Sequence, residues 1–142
     1  MLRAFILSLA MLFDMPVLAH AEISAADKKD IDAKVDAFMT GVSAGKTLEA
    51  ANAIFLPRLT EKKVELQNLA SQMSLAVSYA GGPLKWAVMQ ETQSADVLVF
   101  RQYVAYGTEL PLKFNFVFFK TPKGWFAYNV FFSDIAASDI GG

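Results

Sequence analysis

The sequence contains no cysteine and one histidine, His20. Without cysteine there are no disulfides, no thiolate nucleophile and no sulfur ligand for zinc, so folding stability has to come from packing. His20 lies in an N-terminal segment that reads as removable, and a chain cut after it has no imidazole either. Serine and cysteine triads, histidine acid-base pairs and ordinary zinc sites then fall away. No cofactor is expected and no metal site. No glycine-rich phosphate loop is present: Gly81-Gly82 follows a helical segment instead of preceding one, which makes it a helix stop. Charge of one sign is also lacking, since 13 Lys and Arg face 14 Asp and Glu and the two kinds are interleaved along the chain. That balance, with no basic run, speaks against a nucleic-acid partner.

A long apolar run is missing too. Met1-Leu2-Arg3 is followed by apolar residues to Phe13, but Asp14 and Pro16 interrupt the run before the roughly 20 residues that a bilayer crossing needs. A basic start, a short apolar stretch and Ala19-His20-Ala21 have the three-part form of a cleaved signal peptide. The expectation is a signal peptide over 1–21 and one α+β domain over 22–142, exported to the periplasm or secreted from a bacterium. No stable membrane insertion is expected after cleavage, and no cysteine follows the cut to carry a lipid.

Ser24 and Asp27 fit a capping box, and Ile31, Val35, Phe38, Met39 and Val42 recur at helical spacing up to Gly45. Lys28, Lys29, Asp30, Asp32, Lys34 and Asp36 read as the solvated face of that helix. Thr47 is placed to cap a second, short helix carrying Leu48, Ala51, Ile54 and Phe55, which Pro57 ends. Thr60 is the expected cap of a third, with Leu66, Leu69, Met73 and Val77 as its buried stripe and Gly81-Gly82-Pro83 as its stop.

From residue 84 the apolar period changes to two, and strands are expected over 84–90, 97–106, 112–119 and 125–132. Their connections are too short for crossovers, so the sheet is antiparallel, with the helices packed on one face. Alternation separates two side-chain sets. The first carries Leu98, Phe100, Gln102, Val104 and Tyr106, then Leu112, Phe114, Phe116 and Phe118, then Phe126, Tyr128, Val130 and Phe132. The second carries Val99, Arg101, Tyr103 and Ala105, then Lys113, Asn115, Val117 and Phe119, then Trp125, Ala127, Asn129 and Phe131. Grouping the last strand with the others assumes one loop parity, and a one-residue change would swap its faces.

Arg101 and Tyr103 alternate on one strand face. With Asn115 and Asn129 on neighbouring strands they form the candidate ligand-binding group, four polar tips among aromatics of a kind that holds an anionic or carbonyl-bearing molecule. Ahead of that ligand role stands the plainer reading of Arg101 as a solvent-facing strand residue whose stem covers an aromatic ring. Glu91, Asp96, Glu109 and Asp134 lie at strand ends, where solvated acids are common. No residue is singled out as catalytic. Both alternation sets carry large aromatics while three helices cover one face, so a homodimer through the uncovered face is expected, with Phe119, Trp125 and Phe131 as its interface.

The order of helices and strands, with the run Phe114-Asn115-Phe116-Val117-Phe118-Phe119-Lys120-Thr121-Pro122-Lys123-Gly124-Trp125-Phe126-Ala127-Tyr128-Asn129-Val130-Phe131-Phe132, resembles the NTF2-like (cystatin-like α+β) superfamily. The resemblance implies a curved sheet of about four strands that wraps the first helix into a cone. Enzymes of that superfamily, such as ketosteroid isomerases, scytalone dehydratases and polyketide cyclases, use Asp, Tyr or His inside the cone. An Asp with a Tyr or His at matching positions is not found here, so the resemblance implies an apolar pocket and speaks against an enzymatic role. Three readings follow: a non-enzymatic binding or interaction domain of the bacterial envelope holding a small apolar or amphipathic ligand, a cofactor-independent isomerase- or dehydratase-like enzyme using Tyr and Asp, and a structural assembly subunit. An acid buried beside Tyr103 would favour the enzyme, and a cone plugged by Phe and Met would favour assembly.

Overall fold

The computed structural model describes residues 23–141. The signal peptide expected over 1–21 lies outside the described residues. The chain runs through three helices and then four strands, in the order expected: α1 (Ala25–Ser43), α2 (Thr47–Ile54), α3 (Lys63–Ala80), β1 (Lys85–Ser94), β2 (Leu98–Tyr106), β3 (Pro111–Thr121) and β4 (Gly124–Ser133).

Helix α1 starts where its cap allows, with the Asp27 amide donating to Ser24 Oγ at 3.1 Å. It buries the five expected positions, Ile31, Val35, Phe38, Met39 and Val42. It ends at Ser43, and the chain turns away at Gly45, whose φ of +78° lies in the left-handed region that glycine enters without steric cost. The other two expected caps are corrected. Thr47 lies inside α2, and Lys46 precedes the helix without a side-chain bond. The Thr47 hydroxyl oxygen accepts instead from Ser74 at 2.8 Å, which ties α2 to α3. Thr60 stands in a 3₁₀ turn ahead of α3, where its hydroxyl donates to the Pro57 carbonyl at 2.6 Å. A hydroxyl that finds a tertiary or turn partner is no longer available to a helix N-terminus.

The strands form one antiparallel meander, β1-β2-β3-β4. Strand β1 continues to Ser94, beyond the expected end at residue 90, through polar residues that show no apolar alternation. A register shift at Val88/Gln90 is followed by pairing of Glu91 with Arg101 and Gln93 with Val99. Backbone hydrogen bonds to β2 extend the strand where side-chain patterning carries no signal.

The expected division of the sheet into faces is corrected at two places. Between β2 and β3 the register opposes Val99, Arg101, Tyr103 and Ala105 to Phe118, Phe116, Phe114 and Leu112. These eight side chains share the face under the helices and all are buried. Residues 107–110 make a connection of even length, so odd positions in β2 oppose even positions in β3. In β4, Phe132 and Val130 oppose Phe114 and Phe116. A second shift at Val117/Phe118 then brings Ala127 opposite Phe118 and leaves Tyr128 without a partner. An extra residue in one strand of a pair reverses the facing of everything beyond it. Trp125 is thereby turned inward, 1% exposed, while Tyr128 is 59% exposed.

The inner face meets α1 across a file of rings. Phe116 sits edge-on to Phe38 and to Tyr103, each at 5.5 Å between centroids, and lies parallel to Phe118 at 5.7 Å. Edge-to-face and offset-stacked contacts of this kind add to simple area burial. Met39 and Met73 complete the filling, so the middle of the cone is packed with side chains.

Candidate functional site

Arg101 projects from the centre of β2 into this packed face and is 0% exposed. A buried guanidinium is tolerated only when carboxylates and hydrogen-bond acceptors surround it, and three groups do. Its Nε donates to Glu91 on β1 at 2.5 Å, one Nη1 contact reaches Asp32 of α1, and another reaches the Tyr103 hydroxyl at 2.8 Å. The remaining nitrogen, Nη2, is buried with no protein partner among the described residues. Burial works against the charge, but the bonds to Asp32 and Tyr103 outweigh it and hold the guanidinium above its ordinary value of 12.5. Burial pushes the Tyr103 phenol up from 10.0, with Arg101 opposing.

The four candidate ligand-binding residues divide between the two faces. Arg101 and Tyr103 meet inside. Asn115 is on the outer face, opposite Gln102, whose amide donates to its Oδ1 at 3.0 Å. It is 1% exposed, and its Nδ2 has no partner among the described residues. Asn129 opposes Val117 on the same outer face and is exposed. The four tips therefore do not converge. The odd-to-even register between β2 and β3 is the reason.

Sequence reasoning missed the acids of the cluster. Glu91 reads as a solvated acid at a strand end and Asp32 as part of the solvated face of α1, yet Asp32 and Asp36 each follow a buried residue, Ile31 and Val35, and so flank the apolar stripe. That spacing was the available signal. Asp36 accepts from the Trp86 indole at 3.0 Å, Asp30 from the Trp125 amide at 3.0 Å and Asp27 from the Trp125 indole at 3.0 Å. Lys34 donates to the Trp125 carbonyl and stands 4.1 Å above the Phe126 ring. The charged side of α1 is thus a docking surface for the sheet.

A second region opens between α3 and the ends of β3 and β4. Ala76, Leu110, Leu112 and Phe132 wall a cavity of about 410 Å³, with Tyr79, Ser133 and Asp134 also lining it. Leu112 is buried and Tyr79, Ser133 and Asp134 are exposed, so the floor is apolar and the rim polar. The size lies within the range of small-molecule sites, roughly 300–1,000 Å³. Among the described residues no group of three or more acids is arranged to hold a metal ion.

Three helices against one face of a curved four-stranded antiparallel meander, with α1 lying across its inner side, also describe solved proteins. A domain of unknown function with a cystatin-like fold from Nostoc punctiforme superposes with a TM-score of 0.58 over 80% of each chain, at 14% identity. The chain has the NTF2-like, cystatin-like fold. A candidate dehydratase of the NTF2-like family from Streptomyces avermitilis superposes with a TM-score of 0.50 over 79% of this chain and 98% of its own, also at 14% identity. No family model and no curated protein matches the sequence. The NTF2-like fold is reused for unrelated activities, so it carries the architecture and not the chemistry.

Proposed function

We propose that the protein is a non-enzymatic binding domain of the bacterial envelope, taking a small apolar or amphipathic molecule at the mouth of the cone. The observation that carries this reading is the division of labour inside the fold. The polar cluster at Arg101 lies within the packed core, with both of its acids paired to the guanidinium, whereas the cavity between α3 and the ends of β3 and β4 is apolar and open. Apolar walls with a few polar groups at one end are the usual form of a small-molecule site. Export rests on the three-part form of the first 21 residues, and intact mass of periplasmic material tests it: a chain starting at Glu22 supports export, and an uncleaved chain overturns it.

Ligand binding is tested by titrating octyl glucoside, a neutral amphiphile, and following backbone amide shifts in NMR spectra. Saturable shifts at Leu110, Leu112 and Phe132 are expected, and Ala76→Trp, which fills the cavity from the half-exposed side of α3, removes them. Shifts scattered over the surface without saturation would overturn the reading.

An enzymatic reading is favoured by one contact, the Arg101 bridge between Asp32 and the Tyr103 phenol, and by the dehydratase assignment of the Streptomyces avermitilis neighbour. It ranks second because Arg101 stands between the acid and the phenol and occupies both. An assembly role is favoured by the filling of the cone with Phe38, Phe116, Met39 and Met73 and by the outer sheet face, where Leu98, Phe119 and Phe131 are exposed; pairing with a second copy through that face is compatible with ligand binding at the mouth.

A further inference from the structure

The charges around the cavity narrow what it holds. Of its lining residues only Asp134 is of a charged type, and it is exposed at the rim, where Tyr79 and Ser133 also line the cavity. Among the described residues Asp134 makes no ion pair. The nearest lysine along the strands, Lys113, is opposite Ser133 and shares the outer face with it. Its ammonium is taken up by Asp139, with contacts of 2.8 and 3.0 Å. No lysine or arginine lines the cavity. The other cation that might have met an anionic group, Arg101, is shut inside the cone by Asp32 and Glu91.

A molecule whose apolar body fills the space between Leu110, Leu112 and Phe132 therefore presents its head to a rim whose one charged residue is Asp134. We infer that the ligand is an amphiphile with a cationic or hydrogen-bond-donating head, an amine or quaternary ammonium, and that carboxylate- and phosphate-headed amphiphiles are discriminated against. This inference rests on the binding reading above and adds the sign of the ligand's charge.

Three eight-carbon amphiphiles separate the two. Octyltrimethylammonium, octyl glucoside and octanoate are titrated at low salt and followed by the amides of Leu110, Leu112 and Phe132. The ammonium is expected to bind about tenfold more tightly than the carboxylate, because the exposed Asp134 carboxylate attracts the one head and repels the other. The preference shrinks as salt screens it. Asp134→Asn brings the ammonium close to the glucoside, and Asp134→Lys reverses the order so that octanoate binds best. The side chain of Asp134 is exposed and makes no bond among the described residues, so neither variant threatens the fold. Equal binding of ammonium and octanoate to the wild type, or a preference unaltered in Asp134→Asn, overturns the inference while glucoside binding leaves the cavity reading intact. If none of the three gives saturable shifts at these amides, the cavity reading fails and the inference falls with it.

Discussion

At the scale of the residue, Arg101 is the costliest side chain in the fold to place. Three acceptors compensate its burial, yet its acids are not themselves buried: the Asp32 side chain is 46% and the Glu91 side chain 33% exposed. When the guanidinium is removed, both carboxylates can return to water, so the loss is dominated by the cavity left against Tyr103 and Phe116. Arg101→Ala is expected to cost about 3 kcal/mol in urea unfolding, and Asp32→Asn about 1 kcal/mol because the carboxylate is half exposed and Glu91 still holds the guanidinium. A smaller loss for Arg101→Ala than for Asp32→Asn would show that the guanidinium is not the packed centre of the cluster. Tyr103 gives a matching prediction at high pH. Its folded-state value is raised above 10.0, so its contribution is complete below 10.0 and is lost as pH rises through the folded value. In an ultraviolet phenolate titration one of the four tyrosines should ionise after the others, and Tyr103→Phe should remove that late phase.

At the scale of the element, the sheet-facing acids of α1 link helix docking to pH. The Trp125 indole bond holds the Asp27 carboxyl below 3.8, against a smaller opposing effect of burial and with help from Lys120. A depressed folded value contributes stability that is present above 3.8 and is lost as pH falls through the folded value. Asp27→Asn should therefore unfold at lower urea than wild type at pH 7, with the gap closing as pH drops below 3.8. A gap of constant size from pH 7 to pH 2 would remove ionised Asp27 from the account. The other end of the helical layer depends on close backbone approach. The amides of Thr108 and Glu109 donate to the Gly81 and Ala80 carbonyls at 2.8 and 2.9 Å, and a Cβ on Gly107 would collide with both carbonyl oxygens. Neither can move without opening the end of α3. Gly107→Ala is expected to cost about 2–4 kcal/mol, whereas Gly82→Ala, with open space around it, meets only the strain of its φ of +77° and should cost about 1 kcal/mol.

At the scale of the whole molecule, the outer face of the sheet is the large surface that the helices leave uncovered. Phe119 and Phe131 stand on it, 36% and 44% exposed, while Trp125, grouped with them in the sequence reading, is packed beneath α1. We propose that this face pairs with a second copy of the chain. Monomers rarely expose apolar patches beyond a few hundred Å², and burial contributes about 25 cal/mol per Å² before association costs. Wild type is expected to sediment as a dimer at micromolar concentration and Phe131→Glu as a monomer with an unchanged melting temperature. Trp125→Glu is unsuitable for that purpose, since it would place a charge in the core and unfold the protein. A wild type that stays monomeric over the same range removes the interface.

What the sequence determined by itself was whatever is written in local periodicity. Ile31 to Val42 recur at the helical period, and residues 98–132 alternate at the strand period, so helices, strands and their antiparallel order follow from neighbours a few positions apart. The resemblance in the last two strands extended that to the NTF2-like cone. Tertiary structure decided which face of each strand turns inward, because parity depends on the length of the 107–110 connection and on the bulge at Tyr128, and neither alters the alternation itself. The same step separated Asn115 and Asn129 from Arg101, drew Asp32 and Glu91 to it from two other elements, and moved Trp125 from a proposed interface into the core. It also placed Asp134, an ordinary acid at a strand end when read alone, at the rim of an apolar cavity. Charge partners far apart in sequence leave no periodic trace, so only the packed fold could bring them together.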